Sequence, residues 1–392
     1  MQSIMTTVNV DTTLKKIRPF FGLSDLLNFF MLLALLAFFM VLPIRNIEIR
    51  HIVVFFGTMP FYFLAIRRML STRFEHGLFL RLILMLLIIV FGILATADEI
   101  TWQLIYASLN FYSFFVFLST DTKLTLSESV YKLSKWIFIL IAILLLAYSQ
   151  SSIAYIFEDG RETGVLVLGM TNPNLAAMII FGVFSMLLIH FDKMKYKPII
   201  ALIMLGLAYL IWLTEARSAF LTVAFLMIYR LFYKNKKMPK SFLLLIMIVP
   251  MLFIFIYLQL YFADLENFEF MGKGFFSGRQ DTFVYYLSDL KSVSHYLFGN
   301  VGSAAFENAH NAPLAIMCST GLFGAALFYW NLAKRLISLN RIADSTIARM
   351  AIICILGVCI QTSAEAAMFL GIFPISVFMY FYFLMASSNE QQ

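Results

Sequence analysis

Charge is scarce in this sequence. Asp, Glu, Lys and Arg make up 13% of the 392 residues, against 61% apolar residues, too thin a polar complement to cover a water-soluble globule. Cysteine is scarcer still: Cys318, Cys354 and Cys359 are the full set. All of them fall inside apolar runs, which argues against a disulfide framework or a thiolate zinc site. Histidine occurs five times, with neither a His-Xaa-Xaa-Xaa-His nor a Cys-Xaa-Xaa-Cys pair. Walker and Rossmann glycine loops are absent, and no Asp-Xaa-Asp pair of the kind that holds a metal–diphosphate occurs among the acids outside the apolar runs. Neither a metal nor a cofactor is therefore expected. The first twenty residues are polar and carry Lys15, Lys16 and Arg18, a pattern unlike a cleavable signal. No soluble segment is long enough to fold alone, so residues 1–392 read as one polytopic membrane domain.

What the chain has in quantity is apolar runs. A helix of about 20 such residues crosses a hydrocarbon core of about 30 Å. Twelve candidates run roughly over Leu26–Leu42, Ile52–Ile66, Leu78–Thr96, Thr101–Ser119, Trp136–Tyr148, Asn174–Phe191, Pro198–Thr214, Ser218–Phe232, Phe242–Phe262, Ala312–Ala333, Met350–Ala364 and Met368–Ala386. No ten-residue alternation of the barrel type appears, so the fold class expected is an all-α integral membrane protein with about twelve spans.

Cations set the orientation. With both termini cytoplasmic, only Arg45, Arg50, Arg161, Arg217, Lys273, Arg279 and Lys291 fall outside, and the rest of the 29 Lys and Arg lie on the inner side. That is the positive-inside bias. The net charge of +7 is then a topology signal and no nucleic-acid footprint.

One long polar break, residues 263–311 between the ninth and tenth runs, interrupts this pattern on the outer side. Four polar groups share that side: Thr171-Asn172-Pro173-Asn174, Glu215-Ala216-Arg217-Ser218, Ser277-Gly278-Arg279-Gln280-Asp281 and His310-Asn311. Asn172 and Asn174 frame a helix start, as supporting or capping residues. A planar guanidinium binds phosphate oxygens bidentately, so Arg217 and Arg279 are candidate anion ligands. Asn311 suits a helix cap and Pro313 its first turn. A helix N-terminus disfavours imidazolium, so His310, just ahead of it, suits a general base. His295 lacks that setting. Gly321 and Gly324 are small residues at helical spacing, expected to let neighbouring helices pack closely. Glu365 lies in the short outer turn between the last two runs.

His310-Asn311, nine residues, then Gly321-Leu322-Phe323-Gly324 resembles the His-(Asn/Ser/Gln)-to-Gly pattern of bacterial O-antigen ligases. Asn172-Pro173-Asn174, Arg217 and Ser277-Gly278-Arg279 follow in that family's order. Glu215 departs from it, because relatives carry small or hydroxyl residues before the arginine. The resemblance implies a GT-C-like glycosyltransferase of the Gram-negative inner membrane, with its active site facing the periplasm. Its donor would be O-antigen on undecaprenyl diphosphate and its acceptor a sugar hydroxyl of lipid A–core. His310 would be the catalytic base and Arg217 and Arg279 the diphosphate ligands. An O-antigen polymerase, a protein O-oligosaccharyltransferase and, from another class, a transporter of lipid-linked saccharides are the competing readings.

Overall fold

The computed structural model describes residues 22–43, 47–71, 76–95, 102–120, 126–149, 152–158, 161–170, 172–233, 236–263, 269–270, 273–274, 279–288, 290–300, 310–366, 369 and 373–387. Of the residues singled out above, Lys15, Lys16, Arg18, Arg45, Thr171, Ser277 and Gly278 lie outside this set, as does most of the loop over residues 263–278.

Among the described residues the long elements are all helices. The first five are α1 (Leu23–Val41), α2 (Ile47–Ser71), α3 (His76–Ala95), α4 (Trp102–Ser119) and α5 (Glu128–Ser149). A hairpin of β1 (Ile153–Glu158) and β2 (Arg161–Leu166) follows, pairing Ile153 with Leu166 and Glu158 with Arg161. Next come α6 (Pro173–His190), α7 (Lys197–Leu213), α8 (Arg217–Tyr233) and α9 (Lys240–Phe262). The polar break contributes a two-residue ladder, β3 (Glu269–Phe270) with β4 (Lys273–Gly274), and two short helices, α10 (Arg279–Ser288) and α11 (Val293–Phe298). The chain closes with α12 (Ala312–Ile342), α13 (Thr346–Gln361) and α14 (Ile375–Ser387).

Each apolar run read from the sequence overlaps one of these helices. Seven helices (α1, α2, α3, α5, α6, α9 and α12) are long and apolar enough to cross a membrane, while α4, α7, α13 and α14 are shorter apolar helices. The architecture is that of an all-α protein with several long apolar helices, consistent with a multi-pass membrane protein. The β1–β2 hairpin was not foreseen, although Asp159-Gly160 between its strands is a dipeptide that favours hairpin turns.

Burial separates central from peripheral helices. In α6, 83% of the spanning window is buried, against 33% in α1, α2, α3 and α9. Every residue of α14 from Ile375 to Ala386 is buried as well. Helix α3 has the opposite character: Leu82, Met85 and Ile89 face inward while Leu80, Leu84, Leu87 and Phe91 are exposed. A helix apolar on both faces needs an apolar surround, which is consistent with a membrane-spanning helix. Aromatic packing fills the interior where α4, α12 and the segment before α14 meet. Phe111 stacks on Phe328 at 5.4 Å and Phe114 on Phe369 at 6.3 Å. Each such pair is worth about 0.5–1.5 kcal/mol beyond its area.

The two ends of the bundle are fastened differently. At one end cations meet acids or amides: Arg230 and Asp192 lie 2.6 Å apart, Lys237 and Asp344 2.8 Å, and Arg81 donates to Asn331 Oδ1 at 2.7 Å. The other end, which we term the site end, is tied through backbone carbonyls. Arg50 donates to Gly169 O at 2.6 Å and to Leu42 O at 2.8 Å, joining the end of α1 and the start of α2 to the turn before α6. Arg50 is thus a fastener within the fold.

Candidate functional site

At the site end a non-glycine residue with positive φ precedes three of the helices that begin there: Leu168 (49°) before α6, Glu215 (54°) before α8 and His310 (47°) before α12. The left-handed region costs an L-residue roughly 1–2 kcal/mol, so surrounding contacts must impose it. At His310 those contacts are visible.

Asn311 supplies them. It is fully buried, and its side-chain oxygen accepts from Leu314 N at 2.9 Å, capping α12 as the sequence suggested. Its Nδ2 donates to Pro250 O at 3.0 Å and Ser363 O at 3.1 Å. Ala312 N adds a bond to Thr362 O at 3.0 Å. One side chain therefore joins the start of α12, the middle of α9 and the turn after α13. Pro250 stands twelve residues from the end of α9 at Phe262, about 18 Å at the helical rise. His310 is consequently set deep, well below the loop end of α9.

Helix α10 forms the wall above it. Phe283, wholly buried, packs edge-on against Tyr257 of α9 with centroids 5.0 Å apart. That contact fixes the apolar face of α10 and leaves Asp281 and Tyr285, one turn apart, exposed on the other. Asp281, Thr282, Tyr285, Tyr286 and His310 line an open cavity of about 480 Å³, a size ordinary for a small-molecule site.

Arg279 opens α10, and its Nη2 lies 3.3 Å from Oε1 of Glu365. The other oxygen of Glu365, Oε2, lies 3.7 Å from Nδ1 of His310. Glu365 is only 4% exposed, a buried carboxylate facing both. Two residues singled out from sequence, thirty-one positions apart, are thus gathered by a third that was read merely as an acid of an outer turn. A signal did exist. Ser363-Ala364-Glu365-Ala366 sets one ionisable residue among small ones between two apolar helices, and such residues are functional candidates by default.

Arg217, half-buried, begins α8. A Cβ on Gly357 of α13 would touch Thr222 and Leu226 of α8, which sets the register of these antiparallel helices. Arg217 lies five residues before Thr222, about 7.5 Å toward the site end. It shares that end with Glu365 but does not line the cavity. Asn172 and Asn174 do not line it either: Asn172 Oδ1 accepts from Asn174 N at 2.8 Å, the cap of α6.

Gly321 differs from the expectation of simple helix packing. Its backbone is non-helical (φ 69°, ψ −177°) and breaks α12 after Thr320. What approaches it is no helix face but the backbone of Leu297 and Phe298 in α11, while a Cβ on Gly299 (φ 84°) would overlap Ser319 and Thr320 in return. Asn300 N bonds Cys318 O at 2.7 Å across this crossing. Two glycines let two backbones touch, and the break leaves the first stretch of α12 free to descend to His310. Gly324 faces the Thr320 side chain of its own helix.

Among the described residues, no group of three or more His, Cys, Asp or Glu is arranged to hold a metal ion. The cluster Arg279–Glu365–His310 can hold an anion beside a group able to accept a proton. Comparison with protein-family models, curated proteins and solved structures finds no match to this chain.

Proposed function

We propose that the protein is an inverting glycosyltransferase of the O-antigen ligase type, working without metal or nucleotide. It transfers polysaccharide from undecaprenyl diphosphate to a sugar hydroxyl of lipid A–core at the periplasmic face of a Gram-negative inner membrane. In this reading the chain makes twelve spans with both termini in the cytoplasm, and the positive-inside bias of its Lys and Arg residues supports residues 263–311 lying on that face. The observation that carries the reading is the Arg279–Glu365–His310 cluster beside a cavity lined by Tyr285, Tyr286, Thr282 and Asp281. A cationic fork, an imidazole and hydroxyl-bearing aromatics are the groups that lipid-diphosphate and sugar chemistry requires.

In this reaction His310 takes the proton of the acceptor hydroxyl as its oxygen bonds to the anomeric carbon. The bond from that carbon to the diphosphate oxygen breaks, and its electron pair leaves with undecaprenyl diphosphate. Attack opposite the leaving group inverts the anomeric configuration. Arg279 and Arg217 bind the diphosphate oxygens and stabilise the charge growing on them. Glu365 engages one N–H group of the Arg279 fork, and the other N–H groups bind phosphate. His310 then gives its proton to solvent.

The test is reconstitution. Purified protein supplied with lipid-linked polysaccharide and rough lipopolysaccharide should yield capped lipopolysaccharide, undiminished by a chelator. His310→Ala should lower turnover about 10²-fold or more, and Arg279→Lys should lower it about tenfold or more through the lost bidentate geometry. Near-normal turnover by His310→Ala would sink the reading. Longer chains on undecaprenyl diphosphate in place of capped lipid A–core would make the protein a polymerase.

A further inference from the structure

Among the described residues the site contains one buried carboxylate, to which the proposed reaction assigns no step, and it is the group at the centre. Glu365 is 4% exposed and presents one oxygen to each of the other two residues, Oε1 to Arg279 at 3.3 Å and Oε2 to His310 at 3.7 Å. Burying a carboxylate costs several kcal/mol unless partners compensate, and among the described residues the two that do are residues of the proposed site. Its own position is fixed from the backbone. Ser363 and Thr362, just before it, accept from Asn311 Nδ2 and Ala312 N, the residues just after His310. The same junction therefore sets where the carboxylate stands and where the imidazole stands.

We propose that Glu365 is a positioning residue for His310: it holds the Nδ1 edge of the ring, so that Nε2 is the nitrogen offered to the cavity. This rests on the reading of His310 as the base. A base that accepts a proton on Nε2 must carry its existing proton on Nδ1, and a carboxylate facing Nδ1 selects that tautomer. When the acceptor hydroxyl gives its proton to Nε2, the ring becomes an imidazolium with a negative charge already beside it, so no reorganisation is required at that moment. The proton later leaves from Nε2 to solvent and is not passed to Glu365. The other ionisable residues that line the cavity with His310, namely Asp281, Tyr285 and Tyr286, come from α10, as does Arg279, whose charge Glu365 shares.

Glu365 also joins the two halves of the site, because Arg279 and His310 both rest against its carboxylate.

Two experiments on the full-length protein test this, one of them independent of any transferase assay. Nitrogen-15 histidine NMR, with His310 identified by the signals missing in His310→Ala, should find the wild-type ring as the Nδ1–H tautomer. Glu365→Ala should mix the tautomers. An Nε2–H ring in the wild type overturns the proposal whatever the enzyme's activity. In the reconstituted assay, Glu365→Gln should lower kcat about 10²-fold or more with KM changed less than about threefold, and Glu365→Asp should restore a substantial part of that loss. Added to His310→Ala, Glu365→Gln should cost nothing further, because it acts through a base that is already gone. Additive losses, or a loss confined to KM, would overturn the positioning role. An inactive wild type would count against the transferase reading alone, because the tautomer experiment stands apart from it.

Discussion

Asn311 and Ser363 are joined by a buried hydrogen bond, Nδ2 to carbonyl oxygen at 3.1 Å, across fifty-two residues of sequence. It ties the residue after the candidate base to the residue two before the carboxylate facing that base. Asn311 also caps α12 and binds the carbonyl of Pro250, so the start of α12, the middle of α9 and the turn after α13 are locked together by a single amide.

Removing that amide should cost stability in separable parts. Asn311→Ala loses the cap, worth about 1 kcal/mol, and removes two buried hydrogen bonds to carbonyls, worth about 0.5–1.5 kcal/mol each. Thermal unfolding in detergent should fall clearly. Asn311→Ser should recover only the cap's share, and Asn311→Asp should not rescue, because it keeps the acceptor but lacks the donors. A neutral Asn311→Ala would contradict the junction.

Gly321 should not tolerate a side chain. It has φ of 69°, and a Cβ would run into the backbone of Leu297 and Phe298. Gly321→Ala is expected to destabilise by about 1–3 kcal/mol and to displace α11, the helix ahead of the segment that reaches His310. Gly77→Ala is the control, since nothing lies near its Cβ; it should stay within about 0.5 kcal/mol. Equal midpoints for the two variants would remove the argument that the helix break is imposed by a backbone crossing.

The orientation has a direct chemical test. The cysteines Cys318, Cys354 and Cys359 are free and buried, so the protein should be silent to a membrane-impermeant maleimide. Lys291→Cys and Lys237→Cys introduce thiols at exposed positions. On intact spheroplasts the first should label and the second should label only after permeabilisation. The reverse pattern would invert the topology.

At the end opposite the site, the hydrogen bond from Lys237 holds the Asp344 carboxyl below its usual value of 3.8, and the Lys237 charge adds to it. A depressed carboxyl contributes stability above its unfolded value and loses it as pH falls further, through the lower folded value. The pair is largely exposed, at 43% and 79%, so salt should weaken it. Asp344→Asn is therefore expected to leave the unfolding midpoint at pH 7 and high salt unchanged. It should flatten the decline of that midpoint below pH 4 at low salt. An unaltered acid profile would show that the contact carries no weight.

Several features of this protein were legible in its sequence because they depend on local composition. Lipid forces an apolar run to be helical, so the runs predicted the helices. The caps at Asn172 and Asn311 follow from residue type next to proline. His310, Arg217 and Arg279 stood out because polar residues beside long apolar runs need a reason. The β1–β2 hairpin, of only six residues per strand, was too brief a pattern to separate from loop.

The role of Glu365 could not be read this way, and neither could that of Gly321. An acid in a turn looks alike whether it meets water or a buried arginine and histidine. Only the stitching of α12 to α13 through Asn311–Ser363 and Ala312–Thr362 decides which it meets. Gly321 reads as a small residue on a helix until the backbone of α11 is seen against it. The sequence by itself determined the helices, their caps and the polar residues at their ends, since each depends on neighbours a few positions away. The tertiary structure alone decided that Arg279, Glu365 and His310 share one carboxylate beside one cavity, because contacts across tens of residues are set by packing.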